Sequence, residues 1–135
     1  MNFREFLKDN IVYLDGGMGT LLQEKGLKAG EFPECWNITH PHIITGIHKA
    51  YFDAGSNVVC TNTFGANSLK FEAEELENII MSAIYNAKNA AKESSSKSPK
   101  FVALDIGPTG KLLKPLGDLD FEDAVSVFAK TVKLG

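Results

Sequence analysis

With 135 residues, 44% apolar and 23% charged, the chain has the size and composition of one compact domain and none of the bias of a disordered polymer. A formal charge of −3 gives no electrostatic reason to bind nucleic acid or an anionic membrane, both of which need clustered positive charge. No apolar run approaches the roughly 20 residues of a membrane span, and Arg4, Glu5 and Asp9 interrupt the segment where a signal peptide would be apolar. The expected address is the cytoplasm, where Cys35 and Cys60, far apart and in no disulfide-dense pattern, read as free thiols.

Helix and strand signals alternate along the chain. Phe3, Phe6 and Leu7 at helical spacing predict a short helix over residues 2–9, ending near Asn10. Ile11-Val12-Tyr13-Leu14, closed by Asp15 and two glycines, predicts a first, buried strand reaching a turn. A stretch containing glycine and proline, Gly26 to Pro33, leads to a helix that starts at Pro41, carries Ile43, Ile44, Ile47, Tyr51 and Phe52 on one stripe, and ends at Gly55.

A second strand is expected over Asn57-Val58-Val59-Cys60-Thr61, then a polar segment through Asn67, then about four turns of helix marked by Leu76, Ile79, Ile80, Ala83, Ile84, Ala87 and Ala91. The serine-rich run from Glu93 to Pro99 has the composition of a mobile surface loop. Phe101 to Asp105 forms the expected third strand. A last helix should begin after Asp120, with Phe121, Ala124, Val125, Phe128, Ala129 and Val132 on its inner face.

This alternation is the signature of a parallel sheet with crossover helices. Three strands are few for such a sheet, which needs both faces covered, so the chain looks like a segment of a larger structure.

Ligands of parallel α/β folds bind beyond the carboxyl ends of the strands, which makes the residues after each apolar run the first candidates. Asp15 at such an end can anchor an ammonium group, while Gly16 and Gly17 let backbone N–H groups approach a ligand carboxylate, a pairing that suits an amino acid. The alternative is a capped turn whose glycines supply positive φ. Thr61, Asn62 and Thr63 can line a pocket or hydrogen-bond their own backbone as turn formers.

The glycine cluster lacks the third glycine of the dinucleotide fingerprint and the Lys-Ser/Thr of a P-loop. His40, His42 and His48 lack the i, i+4 spacing that places two ligands on one helical face, and Cys35 and Cys60 form no C-x-x-C unit, so no metal ligands are assigned. No catalytic residue is assigned either.

Four segments are recognisable together: Asp15-Gly16-Gly17-Met18-Gly19-Thr20, Pro33-Glu34-Cys35-Trp36-Asn37, Thr61-Asn62-Thr63-Phe64-Gly65-Ala66-Asn67 and Gly107-Pro108-Thr109-Gly110. In order and spacing they resemble the homocysteine S-methyltransferase family, most strongly the N-terminal homocysteine-binding module of cobalamin-dependent methionine synthases. The resemblance implies a TIM (β/α)8 barrel, with residues 1–135 as its N-terminal part carrying the first three or so β/α units. It also implies homocysteine as substrate, its thiolate held by zinc and methylated to methionine.

In the family the aspartate and glycines matching Asp15, Gly16 and Gly17 hold the amino-acid end of homocysteine, and Thr61, Asn62 and Thr63 match a segment near the pocket. The family's zinc comes from cysteines in Gly-x-Asn-Cys and Gly-Gly-Cys-Cys segments, neither of which occurs in this chain. The modules for methyltetrahydrofolate and cobalamin are absent as well. The expectation is a homocysteine-binding piece that is inactive alone. The alternative is a non-catalytic binding or assembly module that forms a homo-oligomer, or joins the remainder of the barrel, through open strand edges.

Overall fold

A computed structural model describes residues 1–135. Helix α1 (Phe3–Asp9) starts at a reciprocal cap: the Asn2 side chain accepts the Glu5 N–H at 2.9 Å and the Glu5 carboxylate accepts the Asn2 N–H at 3.0 Å. Its Phe3 and Phe6 rings lie 5.2 and 5.7 Å from the ring of Phe101, so the helix covers the end at which the sheet begins. The ends that matter for ligands lie at the other side.

The sheet consists of β1 (Val58–Cys60) and β2 (Phe101–Ala103), paired in parallel with Val58 opposite Phe101 and Cys60 opposite Ala103. A third parallel segment touches β1 only through a bridge between Leu14 and Val58, with the Asp15 N–H donating to the Val58 carbonyl at 3.0 Å. The expected first strand over Ile11 to Leu14 is therefore not a buried strand. Ile11, Tyr13 and Leu14 are exposed, because these residues pair on one side only and nothing within the chain packs over them. The other two strands are shorter than expected, spanning only Val58–Cys60 and Phe101–Ala103.

Helix α4 (Pro41–Asp53) and helix α5 (Ala73–Glu93) lie side by side against the sheet. Most of the expected stripe on α5 is buried: Leu76, Ile79, Ile80, Ala83 and Ala87 are inaccessible, Ile84 and Ala91 are partly buried, and Ala90 joins the buried face. Phe52 and Val59 join Ala87 and Ala90 in one core cluster, and Phe71 and Ala66 join Leu76, Ile79 and Ile80 in another. Each large side chain so buried contributes about 1.5–3 kcal/mol. Gly55, with φ +113°, takes the left-handed conformation that ends α4.

Three short elements have no periodicity long enough to announce them: α2 (Gly19–Glu24), a 3-10 turn at Pro33–Cys35 and α3 (Trp36–Thr39). They are held by tertiary contacts, Leu22 and Trp36 packing on Ile44 and Ile47 of α4. The serine-rich loop is not loose at its start, because the Asp53 carboxylate accepts the Ser94 hydroxyl at 2.7 Å and the Ser95 N–H at 2.9 Å.

Helix α6 (Phe121–Leu134) begins where expected but keeps only Ala124 of the expected inner face fully buried. Ala124, Val127 and Thr131 face inward, while Phe121, Val125, Phe128 and Val132 are exposed. The helix carries two adjacent apolar stripes, and the choice between them is made by a buried hydrogen bond from the Thr131 hydroxyl to the Ala66 carbonyl, 2.9 Å long. No helix is long and apolar enough to cross a membrane.

Candidate active site

A cavity of about 300 Å3 opens where the three parallel segments end. It is lined by Asp15, Gly16, Met18 and Gly19 after the first segment, by Cys60, Thr61, Asn62 and Phe64 at and after the end of β1, by Asp105 after β2, and by Pro33 and Glu34. Three of the lining side chains are carboxylates and none is basic.

Asp15 is oriented by β1: its Oδ2 accepts the Cys60 N–H at 2.9 Å. The N–H groups of Gly16 and Gly17 meet no acceptor in the chain. Neither glycine, nor Gly19, has positive φ, so positive φ is not what these residues supply. Close packing calls for one of them instead: a Cβ on Gly16 would lie 3.0 Å from the Tyr51 hydroxyl, which itself donates to the Gly17 carbonyl at 2.6 Å.

The hydroxyls of Thr61 and Thr63 are 2.7 Å apart, Thr63 donates to the Asp105 carbonyl at 2.7 Å, and the Asp105 N–H donates to Thr61 at 3.2 Å. These two side chains weld the ends of β1 and β2 together. Asn62 is similarly engaged. Its amide nitrogen donates to the Pro33 carbonyl at 2.8 Å and to the Asn37 side chain at 3.0 Å, while Asn37 donates back to the Asn62 carbonyl at 2.8 Å. Asn86 of α5 completes the network by donating to the Asn37 carbonyl at 3.0 Å. Glu34, buried, accepts the Gly65 N–H at 2.6 Å. The Pro33–Asn37 segment is thus fastened over the cavity by backbone and amide groups.

Of the six residues expected at the site, Asp15, Gly16, Thr61 and Asn62 line the cavity; Gly17 and Thr63 stand directly behind it. Cys60, Glu34 and Asp105 also line it. Asp105 carries the same signal as Asp15, a carboxylate closing a β-branched or apolar run. Glu34 has no strand or helix pattern to place it; its one signal is the Pro33-Glu34-Cys35-Trp36-Asn37 segment that carries the family resemblance.

The charge of the site acts on its own groups. Burial first, and then the Asp15 and Asp105 carboxylates, push the Cys60 thiol up to about 11. Burial and then Asp15 raise the Asp105 carboxyl above the ordinary carboxylate value. Both cysteines are free, and no group of three or more His, Cys, Asp or Glu side chains is placed to hold a metal ion. His40 stacks on Trp36, with ring centroids 4.0 Å apart, and His48 is fully buried in α4, so the three histidines do not converge.

A parallel α/β unit with its cavity at the strand ends and its helices packed against the sheet is the arrangement in which barrel and open-sheet enzymes place their chemistry. The chain belongs to the homocysteine S-methyltransferase family, whose pattern matches residues 12–135. In fold it is similar to the homocysteine methyltransferase MmuM from Escherichia coli: to the metallated form with TM-score 0.80 at 18% identity, covering 97% of this chain and 52% of that one. The oxidised form gives TM-score 0.75 at 19% identity over 98% and 53%, and the apo form 0.73 at 21% over 96% and 46%. The chain spans about half the length of these solved structures.

Proposed function

We propose that this chain forms the homocysteine-binding side of a methyltransferase active site, in a protein that transfers a methyl group to the homocysteine sulfur to give methionine. The observation that carries the reading is the Asp15 carboxylate and Gly16 at the cavity lining, with the N–H groups of Gly16 and the adjoining Gly17 left without an acceptor, in a chain of this family. Asp15 receives the ammonium group and the glycine amides receive the carboxylate, complementary partners for the two charged ends of an amino acid. Thr61, Asn62 and Thr63 act by fixing the cavity lining. In this reading residues 1–135 are the N-terminal part of a (β/α)8 domain working in the cytoplasm.

Binding is separate from activation here. A thiol with an ordinary pKa near 8.5 is mostly protonated at neutral pH, and the cavity lining offers carboxylates and no basic side chain to favour its ionisation. The zinc that activates the thiol in the family does not fit the residues present, since they form no metal-holding group. The chain by itself is therefore proposed to bind without methylating. A methyl donor delivered by cobalamin and methyltetrahydrofolate, as in methionine synthases, rests on the sequence resemblance.

The test is a titration of the isotopically labelled chain with homocysteine, followed by amide NMR. Shifts concentrated at Asp15, Gly16, Gly17 and Thr61, with no methionine formed on adding a methyl donor, are expected. An unperturbed spectrum at millimolar homocysteine would remove the binding role.

A second reading, an assembly module, is favoured by the exposed edge at Ile11, Tyr13 and Leu14 together with the apolar stripe on α6. Sedimentation velocity separates the two: a monomer that binds homocysteine supports the first reading, and a dimer indifferent to homocysteine supports the second.

A further inference from the structure

The cavity holds more negative charge than one ammonium anchor requires. Glu34 has a structural use for its carboxylate, which accepts the Gly65 N–H at 2.6 Å. Asp105 has none of comparable weight. It follows the end of β2 and lines the same cavity as Asp15, and its backbone is fixed by the Thr61 and Thr63 hydroxyls. The two salt bridges of the chain, Lys49–Asp53 and Lys114–Asp120, involve neither Asp15 nor Asp105. Two half-buried carboxylates therefore face one small cavity without a protein cation.

We infer that Asp105 is a specificity-determining residue which, together with Asp15, embraces the substrate's α-ammonium group. The inference rests on the homocysteine-binding reading above and extends it to a second carboxylate of the same cavity. A single carboxylate satisfies one or two of the three ammonium N–H donors, and a second takes up what remains. The pair then rejects ligands that have the thiol and the carboxylate but no ammonium, because the two negative charges stay uncompensated. The raised Asp105 carboxyl is what such a vacant pair produces: with no cation between the two groups, burial and Asp15 both disfavour its ionisation.

The test compares L-homocysteine with 4-mercaptobutanoate, which lacks only the amino group, on the wild-type chain, Asp105→Asn and Asp15→Asn, with circular dichroism to establish folding. Asp105→Asn should weaken homocysteine by about tenfold and leave 4-mercaptobutanoate unchanged or tighter. Independently of any variant, carboxyl NMR of the wild-type chain should show homocysteine lowering the Asp105 pKa and 4-mercaptobutanoate failing to do so. Unchanged homocysteine affinity in Asp105→Asn, equal losses for both ligands, or an Asp105 pKa that ignores homocysteine would each overturn the assignment. If Asp15→Asn still loses homocysteine in those cases, the site reading survives and only the role of Asp105 is lost. If the wild-type chain binds neither ligand, the homocysteine-binding reading fails and the assignment of Asp105 fails with it.

Discussion

The Asp15 carboxylate accepts the main-chain N–H of Cys60 at 2.9 Å, which ties the end of the exposed first segment to the end of β1. The same carboxylate stands beside the Cys60 side chain and contributes, after burial, to holding its thiol at about 11. Replacing Asp15 by Asn removes that charge. The Cys60 thiol should then ionise at lower pH, and alkylation by iodoacetamide at pH 8 should run several-fold faster than in the wild-type chain. An unchanged alkylation rate would mean that burial alone governs the thiol.

Gly107 and Gly46 make opposite predictions for the same substitution. A Cβ on Gly107 would lie within 2.3 Å of the Phe64 carbonyl, a backbone atom that cannot step aside, whereas a Cβ on Gly46 meets nothing within 4 Å. Gly107→Ala should destabilise by about 2 kcal/mol or more through forced backbone displacement. Gly46→Ala, in the interior of α4, should stabilise by about 0.5–1 kcal/mol. Urea midpoints of the two variants check both signs.

His48 imposes a pH dependence. It is fully buried, both ring nitrogens lack partners, and burial lowers its pKa to about 4 from an ordinary 6.5. Between those values the unfolded chain binds a proton that the folded chain refuses, so stability falls as pH drops from 6.5 toward 4 and levels off below. The loss amounts to about 3 kcal/mol at about 1.36 kcal/mol per unit. Urea denaturation at pH 7.5 and pH 4.5 should show the His48→Leu chain losing less stability than wild type. Equal losses would locate the pH dependence elsewhere.

Asn37 is the junction of the buried amide network, linking Asn62, Asn86 and the Ile79 carbonyl. Asn37→Leu keeps the branched outline at a larger volume, leaves the buried Asn62 carbonyl without its donor and leaves the Asn62 amide with only its Pro33 bond. A cost of about 2–4 kcal/mol is expected from the unsatisfied groups. Hydrogen exchange should also show the amides of residues 33–37 losing protection before those of α5. If exchange accelerates uniformly, the network is general scaffold and does not specifically fasten the segment over the cavity.

Much was legible in the sequence because it rests on local chemistry. The α4 and α5 stripes, the Pro41 start, the Gly55 stop and the β-branched runs at Val58 and Phe101 are written within a few residues, and so are the motifs that place Asp15, Gly16, Thr61 and Asn62 at strand ends. Residues 11–14 carry an equally apolar run, but a buried strand needs other elements packed over it as well as propensity, and here Ile11, Tyr13 and Leu14 stay exposed. The α6 pattern was ambiguous between two stripes, since Phe121, Val125, Phe128 and Val132 are as apolar as the face that Ala124, Val127 and Thr131 bury.

Tertiary structure alone decided what each polar side chain is used for. Thr63 and Asn62 are named by the sequence as candidates, yet only the fold reveals that their donors are spent on Asp105, Pro33 and Asn37. Asp105 and Glu34 reach the cavity from segments 90 and 19 residues from Asp15, brought together by parallel strand ends and by a short helical turn without periodicity. A sequence specifies which residues can donate, accept or carry charge. Which of them remain free for a ligand depends on distances between segments far apart in the chain, and those are set only when the sheet and helices pack.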